Sequence, residues 1–214
     1  LLPANPAARL KLPPTALRAP FFWTRDEAAE ILDARVRRGR RTVPALTPPM
    51  RMLVDFDMHT GLRIGEITGM WCEQVDCSAA IVHVTAAQTR YGREPYTKGR
   101  KLRTVPVPPH LASDLSALVS GKPGDALVFP APHGGPLDDT DFRARIFLPA
   151  LRAAGVRLGS PHDMRHTAAS WLVMDGVDLY RVQALLGHES FRTTQRYAHL
   201  APKDFDAITS AWSK

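Results

Sequence analysis

Arginine, histidine and tyrosine side chains are concentrated in four short segments of this chain, and together these residue types could bind a phosphodiester and attack its phosphorus. The segments are TGLRIGE at 60–66, TKGRKLRTVPV at 97–107, PHDMRH at 161–166 and LLGHESFRTTQRYAH at 185–199. Guanidinium and imidazole groups can hold the nonbridging phosphate oxygens and stabilise the charge that builds in the transition state. A phenol with a pKa of about 10 needs a cationic pocket or a base before it acts as a nucleophile.

The third segment predicts how two of these side chains meet. Ser160, Pro161 and Asp163 form a strong helix start. His162 and Arg165 are three residues apart, so they project from nearly one face of the first turn. A histidine and a cation at a helix N-terminus make an anion site.

The composition of the 214 residues favours a polyanionic partner. There are 28 Lys and Arg against 21 Asp and Glu, which gives a net charge of +7. Cys72 and Cys77 are too few for a disulfide framework, and no apolar run approaches the ~20 residues of a membrane helix, so we expect a cytoplasmic protein. The sequence has no Walker-type loop and no carboxylate cluster, and no cofactor or metal is predicted.

The positions of apolar residues predict a mostly α-helical fold with a small antiparallel three-stranded sheet, rather than alternating βαβ units. Residues 1–20 carry five prolines and indicate an extended linker, which we expect to arrive from an N-terminal domain outside this sequence. Residues 21–214 are predicted to form the folded domain. Strands are expected at 79–87, 94–97 and 102–108, and helices at 47–58, 62–69, 109–119, 139–154, 161–174, 178–186, 191–198 and 203–213.

A further helix is expected from Thr24, where Glu27 completes a capping box. We expect it to end in RVRRGRR, a segment with five cations that favours contact with a phosphate backbone over a merely solvated helix end. These cations are Arg35, Arg37, Arg38, Arg40 and Arg41.

With the four segments in this order, residues 20–214 resemble the tyrosine recombinases, the family of the lambda-type phage integrases. The resemblance implies that Arg63 and Arg165 clamp the scissile phosphate, while His162 and His188 assist by hydrogen bonding and proton transfer. Tyr197 would be the nucleophile. Its attack would give a 3′-phosphotyrosine, which keeps the energy of the phosphodiester, so a second DNA end could be joined without ATP or metal.

The resemblance also implies that Lys98 is the general acid for the departing 5′ oxygen. Lys101 is its main alternative, because several cations lie close together in this segment. Arg100, Lys101 and Arg103 are expected to contact the DNA backbone. Met164 stands where the family often has Leu, which is a volume-conserving change.

The expected partners are double-stranded DNA recombination sites. The family implies a tetramer on two DNA segments, a clamp completed by an upstream helical DNA-binding domain, and accessory DNA-bending or directionality factors. The isolated domain could be a monomer. Phe205, Ile208 and Trp212 form an apolar stripe that would pack either on a neighbouring subunit or on their own domain.

Several alternatives stay open from the residues. Tyr91, Tyr96 and Tyr180 compete with Tyr197, although only Tyr197 lies nine residues after a Gly-His pair. The protein could be a DNA-binding module of this fold that has lost catalysis, or a resolvase or type IB topoisomerase with the same chemistry. His162 and His166 are spaced like a zinc helix and would suggest a metal-dependent hydrolase, but Arg165 would place a positive charge beside the metal, and His166 is expected to orient its neighbours.

Overall fold

The computed structural model describes residues 20–89, 92–95 and 102–202, together with Thr209 and Trp212. This part of the chain is mostly helical with small antiparallel sheets, as predicted. Its α-helices are α1 (Arg25–Asp33), α2 (Pro48–Thr60), α3 (Ile64–Thr68), α4 (Ala112–Val119), α5 (Asp139–Asp141), α6 (Leu148–Ala154), α7 (Pro161–Met174), α8 (Leu179–Leu186) and α9 (Phe191–Gln195). Its strands are β1 (Arg35–Arg38), β2 (Arg41–Pro44), β3 (Val75–Asp76), β4 (Ile81–Val84), β5 (Ala86–Thr89), β6 (Gly92–Pro95) and β7 (Arg103–Pro106). None of the helices described is long and apolar enough to cross a membrane.

The first helix begins as predicted, but it ends before the arginine-rich segment. Thr24 Oγ1 accepts a hydrogen bond from the backbone of Glu27, whose carboxylate accepts one from the backbone of Thr24. Helix α1 ends at Asp33, and β1 then pairs antiparallel with β2. Gly39 supplies the left-handed conformation of the turn, with φ 61°. The cations therefore lie on a β-hairpin, and the prediction of a helix end is wrong.

The sheets also differ from the single three-stranded sheet that was predicted. Strand β4 lies between β3 and β7, so Val75–Asp76 is the third strand of that sheet. The predicted strand near residue 94 is part of β6, which pairs with β5 in a separate hairpin. Lys98, between β6 and β7, lies outside the described residues.

The C-terminal helices follow the predicted pattern closely. Helix α7 has the predicted bounds of 161–174, and α8 begins one residue after the predicted start. The region predicted as one helix at 139–154 is α5, a π-helical segment Phe142–Phe147 and α6 in succession. The helix predicted at 191–198 divides into α9 and a 3-10 turn, Ala198–Leu200. Of the helix predicted at 203–213, the described residues are Thr209 and Trp212, both helical, and Trp212 is exposed.

Helix α7 is buried because it packs against two apolar clusters. Trp171 belongs to the larger cluster, and its indole N–H donates a hydrogen bond to the backbone carbonyl of Trp23. The ring of Trp23 packs edge-on against that of Phe147, with ring centroids 5.7 Å apart. The smaller cluster consists of Ala169, Val173, Val182, Leu186 and Tyr197. Burial on both sides fixes α7, and the polar residues of its first turns are thereby fixed as well.

Candidate active site

The turn between α2 and α3 places Arg63 against α7 and α8. Gly61 ends α2 with φ 62°, a left-handed conformation in which residues with a Cβ are strained. A Cβ at Gly61 would also lie 2.5 Å from Leu186 Cδ2 and 3.1 Å from Ala168 Cβ. The Gly61 carbonyl accepts a hydrogen bond of 2.6 Å from Arg165 Nη1. A glycine is therefore required by both the turn and the close packing.

Glu66 is a buried carboxylate shared by two arginines. It accepts hydrogen bonds from Arg63 Nη1 at 2.9 Å and from the Arg63 backbone at 2.8 Å. Arg103 donates to both of its oxygens, at 3.0 and 2.5 Å. Because the carboxylate is fully buried, its pairing with both cations fixes the orientation of each guanidinium.

Three arginines converge on the C-terminal end of α8. The last carbonyls of a helix have no partner within the helix and carry partial negative charge, so they attract cations. Each of three successive carbonyl oxygens accepts a hydrogen bond from a different guanidinium. The contacts are Leu185 O with Arg103 Nε at 2.9 Å, Leu186 O with Arg165 Nη2 at 2.7 Å and Gly187 O with Arg63 Nη2 at 3.0 Å.

The two predicted phosphate-binding arginines differ in burial. Arg165 is 3% exposed, whereas the Arg63 side chain is 44% exposed. Burial and, to a lesser extent, the charge of Arg63 lower the pKa of Arg165 to about 10, so it stays a cation at neutral pH. A guanidinium has five N–H donors, and the two hydrogen bonds that each side chain makes to described residues leave others for phosphate oxygens.

The two predicted histidines lie close to these arginines and are neutral at pH 7. Burial and then the charge of Arg165 lower the pKa of His162. The same two causes, with a contribution from Arg63, lower the pKa of His188 to about 3. His188 Nδ1 lies 2.9 Å from Thr194 Oγ1, which orients the ring.

Tyr197 is buried beside the arginine cluster. It is 1% exposed and packs with Val182 and Leu186 of α8. Its hydroxyl lies 2.5 Å from His166 Nδ1. Burial raises the pKa of Tyr197 to about 12, although the charges of Arg196 and Arg165 oppose that shift. In the DNA-free protein the phenol is therefore neutral and covered.

The other expected catalytic candidates either lie outside the described residues or lie away from this site. Lys98, with Lys101 as its alternative, lies outside the described residues, and so do Tyr91 and Tyr96. Tyr180 is described and is 67% exposed, with its ring stacked on Phe191 at 4.5 Å. Tyr197 is thus the one tyrosine in the described part of the chain that lies beside the arginine cluster.

Among the predicted DNA-binding residues, Arg103 is placed differently from expectation. Its side chain is 10% exposed and is engaged by Glu66 and the Leu185 carbonyl, so the structure argues against a DNA-backbone contact. The physical reason is that strand β7 directs this side chain towards α8. Arg100 lies outside the described residues. The five arginines of the β1–β2 hairpin are exposed and available to a phosphate backbone.

Sequence reasoning missed the roles of Glu66, Arg103 and Asp57. The only signal for Glu66 was its position three residues after Arg63. Asp57 is fully buried near Arg165, and burial raises its pKa well above the usual range. No hydrogen bond from a described residue reaches its carboxyl oxygens.

One cluster among the described residues has the composition of a metal site, and it contains neither His162 nor His166, the two histidines with zinc-like spacing. Asp55, His59 and His110 bring their ligand atoms within 4.8 Å of one another. Both rings point to Asp55 Oδ1, His59 Nδ1 at 3.0 Å and His110 Nε2 at 3.2 Å, so hydrogen bonding accounts for the arrangement. Within the described ranges His162 and His166 are not part of any such cluster, and His166 Nδ1 faces Tyr197.

Comparisons with known proteins agree with the geometry. A family model described as the phage integrase family matches residues 22–204. The tyrosine recombinase XerC of Mycobacterium sp. (strain KMS) is 33% identical over 216 residues, which cover 97% of this chain and 68% of that protein.

Two solved structures have the same fold at low sequence identity. The Tn1549 transposon integrase in complex with transposon right-end DNA matches with a TM-score of 0.68 and 20% identity, covering 90% of this chain and 65% of that one. The catalytic domain of bacteriophage HP1 integrase matches with a TM-score of 0.61 and 23% identity, covering 89% of this chain and 94% of that one. The chain thus spans about two thirds of the XerC protein and of the Tn1549 integrase chain in that structure, and nearly all of an isolated catalytic domain.

Proposed function

The chain belongs to the phage integrase family and has the fold of a tyrosine recombinase catalytic domain; we propose that it cuts and rejoins double-stranded DNA at specific sites, with Tyr197 as the nucleophile. One observation carries the proposal. Arg63, Arg165 and His188 meet at the C-terminal end of α8, and Tyr197 packs against the same helix.

In this proposal the two arginines hold the scissile phosphate. Arg63 is half-exposed and meets the phosphate first, while the buried Arg165 stabilises the charge that builds as phosphorus becomes pentacoordinate. His162 and His188 are neutral, and each can donate one N–H to a nonbridging oxygen. Glu66 and the helix carbonyls keep both guanidinium groups in place before DNA arrives.

The covalent step then exchanges one oxygen for another on phosphorus. The Tyr197 oxygen attacks, the bond to the 5′ oxygen breaks, and a 3′-phosphotyrosine remains. Lys98 is proposed as the acid that protonates the departing oxygen. Because Tyr197 is 1% exposed in the DNA-free protein, DNA binding must uncover its hydroxyl before attack.

The proposed partner is a pair of double-stranded DNA sites. DNA is present in the Tn1549 integrase structure, which supports this assignment. We further propose that the active assembly is a tetramer on DNA, that the isolated chain can be a monomer, and that accessory DNA-bending or directionality factors take part. The clamp around DNA would need a second domain, because the chain spans only 68% of the XerC relative.

Adduct formation tests the proposal. The substrate is a nicked duplex carrying a site selected for binding from a random-sequence pool, and EDTA is present throughout. We expect an SDS-stable protein–DNA adduct from the unchanged chain and from Tyr180→Phe, the control. Tyr197→Phe should bind the same duplex and form no adduct. An adduct that persists with Tyr197→Phe would overturn the assignment.

A second candidate function is a DNA-binding module without catalysis. The burial of Tyr197 and the rise of its pKa to about 12 favour it, since both oppose nucleophilic attack. The same experiment separates the two functions. A module would bind the selected duplex with every variant and would form no adduct with any of them.

A further inference from the structure

We propose that His166 is the base that takes the proton of Tyr197 when Tyr197 attacks DNA. The inference rests on the proposed function, which does not say which group removes the proton from the Tyr197 hydroxyl. The sequence alone pointed to His162 and His188 for proton transfer, and to His166 only for orienting its neighbours. The observation behind the new role is the direct contact between the His166 ring and the reacting oxygen.

The geometry places a single ring nitrogen on the nucleophile. His166 Nδ1 lies 2.5 Å from the Tyr197 hydroxyl, with ring centroids 6.0 Å apart and an interplanar angle of 51°. A base can take a proton directly when the two heavy atoms lie within about 3.2 Å, so no intervening water is needed. His166 lies on α7, whose burial on both sides fixes the ring relative to the 3-10 turn that follows Tyr197.

The direction of this hydrogen bond follows from the protonation states. Burial raises the pKa of Tyr197 to about 12, so the phenol carries its proton and donates. Burial, followed by the electrostatic interaction with His162 and the charge of Arg196, lowers the pKa of His166 to about 4. The ring is therefore neutral at pH 7, Nδ1 accepts, and Nε2 carries the hydrogen. The contact is that of a nucleophile with its base before transfer.

The other two histidines are committed elsewhere. His188 Nδ1 faces Thr194 Oγ1 at 2.9 Å. The ring of His162 lies 4.6 Å from that of His166, edge to face, and borders Arg165, which suits it to donate to the phosphate. Within the described part of the chain, His166 is the one of these three rings whose nitrogen is hydrogen-bonded to the Tyr197 oxygen.

A bound phosphate would make the His166 ring a stronger base. The groups that set the potential at His166 are His162, Asp163 and Arg165 on α7, with Arg196 beside Tyr197, and all but Asp163 disfavour its protonation. A phosphodiester anion on Arg165 offsets that positive charge, which makes Nδ1 a stronger base. The free protein holds the proton on the phenol, and the DNA complex eases its transfer.

The step balances without a co-reactant. The Tyr197 O–H bond breaks and its proton goes to His166 Nδ1 as the oxygen bonds to phosphorus. The bond from phosphorus to the 5′ oxygen breaks, and that oxygen takes a proton from a separate acid, for which Lys98 is the candidate. In the joining step the 5′ hydroxyl attacks phosphorus and returns its proton to that acid. The bond from phosphorus to the Tyr197 oxygen breaks, and His166 returns the other proton to that oxygen.

The test compares His166→Asn with His166→Ala in single-turnover adduct formation on the nicked duplex at saturating protein. The Asn side-chain oxygen can occupy the position of Nδ1 and accept the hydrogen bond, but it cannot take the proton. We expect His166→Asn to slow adduct formation by about 10²–10⁴-fold while DNA affinity stays unchanged. His133→Asn, an exposed histidine elsewhere, is the matched control and should react at the unchanged rate.

Two further readouts separate a base from a merely structural role. The adduct-formation rate of the unchanged chain should level off above the pKa that His166 has in the complex. The rate of His166→Asn should instead increase about tenfold per pH unit, because this variant reacts only through free phenolate. Added imidazole should restore part of the rate of His166→Ala. Normal cleavage by His166→Asn, or a slow variant with the original pH profile and no imidazole rescue, overturns the proposal. If the unchanged chain forms no adduct through Tyr197, the proposed function itself has failed.

Discussion

At the scale of single residues, the site consists of charged groups whose positions are fixed by the protein before DNA is bound. Arg63 and Arg165 both donate to carbonyls at the end of α8, yet one is half-exposed and the other is buried. Preorganised donors of this kind reduce the cost of reorganisation during the reaction. Their different burial predicts different consequences when each is removed.

Arg63→Ala should reduce the single-turnover cleavage rate by about 10²–10³-fold and change the free energy of unfolding little. Arg165→Ala should abolish cleavage and also lower the free energy of unfolding by about 2–5 kcal/mol, because buried carbonyls of Gly61 and Leu186 lose their donor. Urea titration and single-turnover kinetics measure the two effects. Equal destabilisation by both substitutions would contradict the assigned difference in burial.

Lys98 stays a sequence-based prediction, and its role can be tested through the leaving group. Lys98→Ala should slow cleavage of an ordinary site but largely spare a substrate whose 5′ oxygen is replaced by sulfur, which leaves without a proton. Lys101→Ala is the matched variant and should show neither effect. If only Lys101→Ala shows this pattern, Lys101 is the acid instead.

At this scale the four sequence segments predicted the residues that meet, because type and spacing are local properties of a chain. They could not predict the pairing of Arg103 with Glu66, which are 37 residues apart, or of His166 with Tyr197, which are 31 apart. Those contacts depend on how α3, β7, α7 and α8 pack, and no local pattern encodes that packing.

At the scale of elements, the β1–β2 hairpin shows where a local pattern was misleading. The five arginines directly follow a helix, and this position favoured the prediction of a helix end. However, Val36 lies between Arg35 and Arg37, and it pairs across the hairpin with Val43. Gly39 supplies the turn. Alternation of apolar and charged residues, followed by a glycine, indicates a hairpin. The high positive charge of the segment indicates a possible partner but not a secondary structure.

The hairpin is expected to contact the DNA backbone through its exposed cations. Replacing Arg37 and Arg40 together with Ala should weaken DNA binding and reduce the slope of log affinity against log salt by about 0.9 for each phosphate that the protein no longer neutralises. The free energy of unfolding should change by no more than about 0.5 kcal/mol, since both side chains are exposed. Arg143→Ala, an exposed arginine before α6, is the control. An unchanged salt slope would exclude the hairpin from the interface.

At the scale of the whole molecule, the sequence predicted the fold class and most helix positions, because the spacing of apolar residues is a local signal. Helix α7 matched its predicted bounds. The segments expected at 79–87 and 102–108 do pair, as β4 with β7. The third strand was wrong, because Val75–Asp76 is too short to detect and pairing joins segments that are apart in sequence. The burial of Tyr197 also depends on tertiary packing of α7 against α8.

Two partly buried histidines make the stability of the molecule depend on pH. The pKa values of His166 and His188 are lowered to about 4 and about 3, whereas in the unfolded chain they titrate near the ordinary value. Below about pH 6.5 the unfolded chain binds more protons at these two histidines, so their contribution to the free energy of unfolding should fall as pH drops towards 4.

Urea unfolding between pH 7 and 4.5 measures this loss. His188→Asn should reduce the slope by at most about 1.4 kcal/mol per pH unit, an upper bound because the ring is only partly buried and solvent screens its charge. His133→Asn should leave the slope unchanged. A slope that does not respond to His188→Asn would show that this ring is protonated equally in both states.

The assignment of Tyr197 as the nucleophile is tested by identifying the residue that carries DNA. The adduct trapped on a nicked duplex is digested with protease and nuclease, and the modified peptide is sequenced by mass spectrometry. The account predicts a single phosphotyrosine bond, at Tyr197. A bond at Tyr91, Tyr96 or Tyr180, or at a residue other than tyrosine, would contradict it.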